Sequence, residues 1–109
     1  MIYNKIEIGK IVLLKFPFAD GTIYKRRPAL LLKDFEDGDI LVCRVTSKIC
    51  ESKYDIYLDN WHKFGLKLPS VVRVHKMATL EKDMIESIIG QVNESVLTKI
   101  KLLYMSIIT

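Results

Sequence analysis

The sequence of 109 residues lacks the features that mark membrane, secreted and metal-binding proteins. Its apolar runs all fall far short of the ~20 residues that a membrane-spanning helix needs. No signal-peptide pattern precedes the first apolar segment, so we expect a cytoplasmic protein without a membrane partner. Only two cysteines occur, Cys43 and Cys50, which fits a reducing compartment, and with two separated histidines they make no zinc-binding spacing. No group of carboxylates suited to hold a metal is evident along the chain either, and we expect no metal or other cofactor.

Linkers, internal repeats and low-complexity segments are also missing, which indicates one domain over residues 1–109. A chain of this length buries roughly two-thirds of its surface on folding, enough for one compact core. Half of the residues, 50%, are hydrophobic, and the mean hydropathy of +0.17 is high for a small protein. Apolar surplus of this kind often covers an interface between subunits, so we expect a homodimer.

Charge is present in moderate excess of one sign. The chain has 17 basic and 13 acidic residues, a net charge of +4 and a pI of about 9.1. This excess favours an anionic partner, which is a nucleic acid or an acidic peptide. Composition alone leaves open the alternative that the charges are spread evenly over the surface and serve solubility.

The apolar patterning predicts a mainly β protein with a C-terminal helix. A turn is expected at Glu36–Asp39, where an Asp-Gly pair favours positive φ. Asn93 is a good helix N-cap, and apolar residues recur at helical spacing after it. Together these elements predict a small, strongly curved, barrel-like sheet. The predicted strands are Ile11–Phe16, Ala29–Asp34, Ile40–Thr46, Tyr54–Tyr57, Ser70–His75 and Glu86–Val92.

The segment Gly9–Leu32 carries the strongest chemical signal. Pro28 has a fixed φ and pushes Arg27 into an extended conformation, so we expect Arg27 at the mouth of a strand. A guanidinium is planar, always charged and matches phosphate oxygens with paired donors. The segment therefore favours a site that grips or cleaves a phosphodiester. The alternative is an arginine that merely caps a strand end in solvent.

A second polar pair lies at the end of the following strand. Thr46 and Ser47 terminate the apolar run that begins at Ile40. If the two strands pair antiparallel, the start of one lies beside the end of the next. Arg27 and Thr46 are then expected to face each other.

With these motifs and others, the chain resembles the MazF/PemK-like toxins, the ribonuclease half of bacterial toxin–antitoxin pairs. The resemblance extends from Gly9 over nearly the whole chain, and Lys10 departs from it where an acid often follows the glycine. The matching pieces, in order, are Gly9 with Ile11-Val12, Phe16-Pro17-Phe18, Asp20-Gly21, Arg26-Arg27-Pro28-Ala29-Leu30, Val45-Thr46-Ser47, Trp61, Gly65-Leu66, Pro69-Ser70-Val71-Val72-Arg73 and Lys76-Met77-Ala78-Thr79-Leu80.

The resemblance implies an SH3-like small barrel, the MazF/PemK/CcdB-like toxin fold. It also implies a homodimer, an acidic antitoxin partner, and metal-independent, sequence-specific cleavage of single-stranded RNA by attack of the 2′-hydroxyl. The family's catalytic arginine and threonine fall at Arg27 and Thr46. The residues expected to contact RNA are Phe18, Tyr24, Lys25, Arg26, Ser47, Lys48, Arg73, His75 and Lys76.

Two functional alternatives stay open at this level. One is a non-enzymatic toxin of the same fold that poisons a topoisomerase, as in CcdB-like proteins. The other is a basic SH3-like module that only binds nucleic acid. His75 is a further alternative, because histidine is the most common general acid or base in enzymes, although a lone strand histidine is more often a surface or packing residue.

Overall fold

The computed structural model describes residues 4–17 and 24–109. Within this part of the chain, six strands, one helix and two short 3-10 turns follow one another, and all six predicted strands and the terminal helix are confirmed. The strands are β1 (Lys10–Pro17), β2 (Tyr24–Asp34), β3 (Asp39–Thr46), β4 (Asp55–Tyr57), β5 (Val71–Glu81) and β6 (Ile85–Gln91), the helix is α1 (Glu94–Ile108), and the turns are Trp61–Phe64 and Lys82–Met84.

The six strands form one sheet with the order β4-β5-β3-β2-β1-β6. Every neighbouring pair is antiparallel. The predicted class, mainly β with a C-terminal helix, is therefore correct. Between the two edge strands, β4 and β6, the described residues form no ladder, so the sheet is open rather than fully closed.

Apolar side chains are buried on both faces of the sheet. One cluster includes Leu30 and Val72 and is covered by α1 through Val96 and Ile100. The other cluster includes Leu31 and extends to the N-terminal segment and the strand β6, with members Ile6, Val12, Leu14, Ala29, Leu31, Ile40, Val42 and Ile85. Two-sided burial explains why β1 and β2 are continuous apolar runs rather than alternating ones.

Strand β2 begins earlier than its apolar run suggests. Residues Tyr24 to Pro28 pair with β1, whereas pairing with β3 starts only at Ala29. At Pro28 the strand is thus an edge on the β3 side, where the missing proline N–H is tolerated. The cations before Pro28 therefore lie within a strand, on a stretch that has a partner on one side only.

Helix α1 begins as the sequence predicts. The Asn93 side-chain oxygen accepts a hydrogen bond from the Val96 backbone N–H at 3.0 Å, and Glu94 lies in the first turn, where a negative charge suits the helix dipole. None of the helices in the described ranges is long and apolar enough to span a bilayer. Cys43 is a buried core residue, and both cysteines are free thiols. Burial raises the pKa of the Cys43 thiol to about 12.

A buried ion pair ties the N-terminal segment to the β2–β3 hairpin. The Lys82 ammonium donates to the Asp34 carboxylate at 2.7 Å, and their side chains are 14% and 0% exposed. Asp34 also accepts from the backbone N–H groups of Ile6 and Glu36, each at 2.9 Å. Lys82 reaches further to the carbonyl oxygen of Asn4 at 2.8 Å. One carboxylate thus fixes three segments that are distant in the sequence.

Candidate active site

The register between β2 and β3 brings the two sequence-predicted catalytic residues together. Ala29 pairs with Arg44 and Leu30 with Cys43. The ladder ends at Ala29, and extending its register by two residues sets Arg27 opposite Thr46. Facing residues of an antiparallel pair project to the same side of the sheet. Both residues accordingly line one depression at this end of the sheet.

We call this depression, of about 510 Å³, the Arg–Thr cleft. The ends of β2 and β3 form one part of it, and the segment from Gly65 to Ser70 forms another. Its lining combines cations, hydroxyls and apolar side chains. The lining residues are Leu13, Arg26, Arg27, Pro28, Val45, Thr46, Ser47, Gly65, Leu66, Lys67, Leu68, Ser70 and Ile89.

Of the two neighbouring arginines of the cleft, one is held in an ion pair and the other is not. Arg26 donates to the Glu86 carboxylate of β6 at 2.7 Å, and this hydrogen bond holds the pKa of Glu86 below its usual range. Within residues 4–17 and 24–109, Arg27 has no ion-pair partner and its side chain is exposed. Arg27 is therefore the arginine of this pair that is available to a ligand.

The Thr46 hydroxyl is oriented by its own turn. Its oxygen accepts a hydrogen bond from the backbone N–H of Lys48 at 3.1 Å, a local contact typical of Ser and Thr at strand ends. A hydroxyl can accept and donate at once. Because the oxygen is held by the N–H, the hydroxyl proton remains available for donation to a ligand oxygen.

A bulge in β5 places a further cation beside Arg27. Cys43 pairs with Met77 while the next residue, Arg44, pairs with Arg73, so three residues of β5 are extra. Bulges redirect side chains and are common next to active sites. Here Val74 enters the core, while Lys76 is exposed and lines a second depression.

We call this second depression, of about 480 Å³, the basic groove. Its described lining holds four cations and no carboxylate, and Arg27 and Pro28 belong to both depressions. Clefts lined by one sign of charge concentrate oppositely charged ligands. The basic groove is lined by Leu14, Phe16, Lys25, Arg27, Pro28, Ala29, Val42, Cys43, Arg44, Lys76, Met77, Ala78 and Leu80.

Four of the predicted RNA contacts line these depressions. Lys25 and Lys76 line the basic groove, and Arg26 and Ser47 line the Arg–Thr cleft. Tyr24 lies beside them, with the Lys15 ammonium 4.1 Å from its ring centroid. Phe18 lies outside the described residues. Lys48 is exposed on the turn after Thr46.

Arg73 and His75 are engaged elsewhere. Arg73 donates to the Asp55 carboxylate at 2.9 Å, where the Asp55 side chain is 1% exposed. Burial opposes ionisation of Asp55, but the hydrogen bonds from Arg73 and Ser52 lower its pKa. His75 packs on Tyr54 with ring centroids 5.0 Å apart, and its buried Nδ1 has no hydrogen-bond partner among the described residues. Neither residue lines the Arg–Thr cleft.

The structure adds lining residues that the sequence reasoning did not select. Arg44 lines the basic groove and lies two residues before Thr46, so strand alternation could have placed it on the same face. Lys67, Leu68 and Ser70 line the Arg–Thr cleft. Lys67 and Leu68 lie between two matched motif pieces, and Ser70 belongs to the second of them. Across the described ranges, no group of three His, Cys, Asp or Glu side chains is arranged to hold a metal ion.

Comparison with known proteins agrees with this architecture. Residues 7–106 match the family model of the PemK-like, MazF-like toxins of type II toxin–antitoxin systems. The structure is similar to a MazE–MazF complex from Deinococcus radiodurans, with a TM-score of 0.79 and 22% identity over 96% of this chain and 97% of that chain.

Two further solved structures have the same fold. One is an endoribonuclease from Mycobacterial species in complex with its cognate antitoxin, with a TM-score of 0.72 and 16% identity over 94% of each chain. The other is the Mycobacterium tuberculosis toxin MazF-mt6, with a TM-score of 0.73 and 20% identity over 89% of this chain and 93% of that chain. No curated protein matches the sequence closely enough to count as a relative. At identities this low, the structural similarity establishes the fold alone. This fold is the one that the sequence resemblance implied.

Proposed function

Because the chain belongs to the PemK-like, MazF-like toxin family of type II toxin–antitoxin systems, we propose that it is an endoribonuclease. Its substrate is single-stranded RNA, in the cell the mRNA of the cytoplasm, and its cleavage inhibits translation and growth. One observation carries the proposal: Arg27 and Thr46 line a single cleft that adjoins a groove of cations. Phosphate oxygens are the ligands that such a surface suits best.

The proposed reaction uses the nucleophile of the RNA itself. The 2′-oxygen forms a bond to the adjacent phosphorus while the bond from phosphorus to the 5′-oxygen breaks. The 2′-hydroxyl proton passes to solvent, and water protonates the departing 5′-oxygen. The products are a 2′,3′-cyclic phosphate and a 5′-hydroxyl. Holding the nucleophile in line and stabilising the phosphoryl charge supply most of the acceleration in such a step.

Arg27 and Thr46 have complementary roles in this reaction. Arg27 neutralises the negative charge that develops on the phosphoryl oxygens through its own charge and its paired planar donors. Thr46 donates its hydroxyl proton in a hydrogen bond to a non-bridging oxygen, while its oxygen stays bonded to the Lys48 N–H. Donors held in place before reaction cost no reorganisation when the charge appears.

Incubation with single-stranded RNA tests the proposal directly. We expect discrete fragments in the presence of EDTA, because the charge stabilisation comes from side chains. Each fragment should end in a 2′,3′-cyclic phosphate and begin with a 5′-hydroxyl. Fragments with 5′-phosphate ends, or cutting that EDTA abolishes, would contradict the mechanism. Intact RNA together with inhibition of a topoisomerase would favour the non-enzymatic alternative.

The partners proposed for this chain are a second copy of itself and an acidic antitoxin. Large apolar side chains are exposed on the described surface, among them Leu102 at 67% and Ile108 at 56%, as expected of an unpaired interface. One of the similar structures is an endoribonuclease in complex with its cognate antitoxin, and another contains MazE with MazF. Sedimentation that shows only monomer at micromolar concentration would contradict the homodimer.

RNA and antitoxin are expected to compete for the basic groove, because its cations can bind carboxylates as well as phosphates. Replacing Lys25 and Lys76 together by alanine should weaken both ligands and flatten the salt dependence of RNA binding. Lys33→Ala, a single exposed lysine of β2 that lines neither this groove nor the cleft, is the control. Simultaneous binding of both ligands without mutual weakening would place the antitoxin elsewhere.

A further inference from the structure

The segment from Gly65 to Ser70 forms part of the Arg–Thr cleft and has no role in the chemistry described above. It connects the 3-10 turn at Trp61–Phe64 to the start of β5. Its most exposed large apolar side chain is Leu68, at 57% of its full exposure. An exposed leucine is common on protein surfaces. One that lines a cleft beside a phosphate site calls for a ligand-based explanation.

The segment is held rigidly against β6. Gly65 has a φ of +85°, and a Cβ on it would overlap the carbonyl oxygen of Ile89. A Cβ on Gly90 would in turn overlap the carbonyl oxygen of Phe64. The two backbones therefore cross at a distance that only a pair of glycines permits. This crossing fixes where the segment leaves the turn and hence where its side chains enter the cleft.

The backbone of Leu68 is fixed from the other end of the segment. The Ser70 hydroxyl donates to the Leu68 carbonyl oxygen at 2.8 Å, and Ser70 itself is 3% exposed. The Ser70 carbonyl oxygen accepts from the Leu58 N–H at 3.0 Å. Leu68 is thus an apolar side chain presented to solvent from an ordered backbone, which lowers the entropy lost when a ligand covers it.

The cleft chemistry identifies the kind of group that fits. Leu68, Pro28 and Ile89 offer apolar contact, while Arg27 and Thr46 bind the phosphate in the proposed reaction. The volume of about 510 Å³ lies within the range of sites for small ligands. A nucleobase has apolar faces and a polar edge and is joined through its sugar to a phosphate. Single-stranded RNA is read by splaying such bases onto side chains.

We propose that Leu68 is a specificity-determining residue: it packs against the face of one base next to the bond that is cut. The rest of the Gly65–Ser70 segment holds Leu68 in place, and Lys67 supplies charge without base selection. This inference rests on the proposed function for its RNA substrate. It assigns base selection to a segment for which the sequence predicted no role.

The test compares three variants in binding and in cleavage. Uncleavable 2′-O-methyl oligonucleotides of each of the four bases are titrated against wild type, Leu68→Ala, Lys67→Ala and Phe35→Ala. Phe35 is the control, because it is an exposed apolar residue of the turn between β2 and β3 that lines neither the cleft nor the basic groove. The same variants then cut an RNA pool of random sequence, and the fragment ends give the base preference at each position.

Leu68→Ala should change the ratio of affinities among the four bases by about five- to tenfold, since it removes apolar contact with one base. Its fragments should show a changed preference at one position next to the cut. Lys67→Ala should weaken the binding of all four oligonucleotides equally, and Phe35→Ala should change neither the affinity ratio nor the base preference.

An unchanged ratio of affinities among the four bases in Leu68→Ala would overturn the inference. If the affinity of this variant for an acidic antitoxin falls instead, Leu68 contacts the partner protein and not a base. A wild-type protein that cuts no RNA would overturn the proposed function alone, because the binding ratios are measured without cleavage. Leu68→Ala is expected to fold, since its side chain is mostly exposed.

Discussion

Replacement of Arg27 by alanine is expected to lower the rate of RNA cleavage by about 10²–10³, the usual effect of removing one donor that stabilises transition-state charge. Arg27 projects from the half-paired stretch of β2 and makes no ion pair within the described residues. Its loss should therefore leave the fold intact. Single-turnover cleavage at saturating RNA measures the chemical step, and thermal unfolding checks the fold.

Arg26 is the matched control for this experiment, because it is the adjacent arginine and lines the same cleft. Its guanidinium is held by Glu86 and is not free to bind the phosphoryl oxygens, so Arg26→Ala should leave the single-turnover rate nearly unchanged. Arg27→Lys keeps the charge but loses the paired planar donors and should recover only part of the rate. A folded Arg27→Ala protein that cuts at the wild-type rate would remove Arg27 from the mechanism.

Thr46→Ala is expected to reduce the same rate by a similar factor, because it removes the proposed donor to a non-bridging oxygen. Thr46→Ser provides the internal comparison, since serine keeps a hydroxyl that can accept from the Lys48 N–H and still donate. If alanine and serine at this position cut equally fast, the hydroxyl has no part in the chemistry.

The meeting of Arg27 and Thr46 was predictable because it depends on neighbouring strands. Pro28 fixes the backbone beside Arg27, and the two strands that carry the pair are joined by a short turn whose Gly38 has the expected positive φ of +97°. Local rules of this kind set the hairpin, although a bulge between Leu31 and Lys33 shifts its register by one residue before the pair is reached. The sequence then suffices to place the start of one strand beside the end of the next.

The surroundings of the pair were less predictable, because they depend on strands that are distant in the sequence. The extra residues in β5 that direct Lys76 into the basic groove arise from its register with β3, and alternation along β5 cannot indicate them. The position of Leu68 likewise depends on the contact between Gly65 and Gly90. In each case the information lies in a tertiary contact between two segments, and not in the pattern of either one.

The burial of the Asp34 side chain could not be predicted from sequence patterns either. Replacement of Asp34 should have the largest effect on stability. An aspartate after an apolar run is usually the exposed end of a strand, but here its side chain is 0% exposed and paired with Lys82. Breaking a buried pair by removing one partner typically costs about 3–5 kcal/mol. We expect Asp34→Ala to lower the free energy of unfolding by this amount, measured by urea denaturation at neutral pH.

Two controls separate the ion pair from the rest of the network. Lys82→Met should cost less than Asp34→Ala, because the carboxylate keeps its bonds from the N–H groups of Ile6 and Glu36. Asp37→Ala removes an exposed aspartate of the same hairpin, whose side chain accepts from the Asp39 N–H at 2.9 Å, and should cost about 1 kcal/mol. Equal losses for Asp34→Ala and Asp37→Ala would show that burial of the pair contributes nothing.

The pH dependence of unfolding gives an independent reading of the same carboxylate. Burial opposes ionisation of Asp34, but the hydrogen bonds from Lys82 and two backbone N–H groups outweigh it and lower the pKa from 3.8 to about 2. A carboxylate with a lowered pKa in the folded state stabilises the protein above its unfolded pKa. This contribution is lost as the pH falls from about 4 towards about 2. The unfolding free energy of Asp34→Ala should therefore fall less steeply in this window than that of the wild type, and parallel curves would rule out Asp34 as a source of the acid sensitivity.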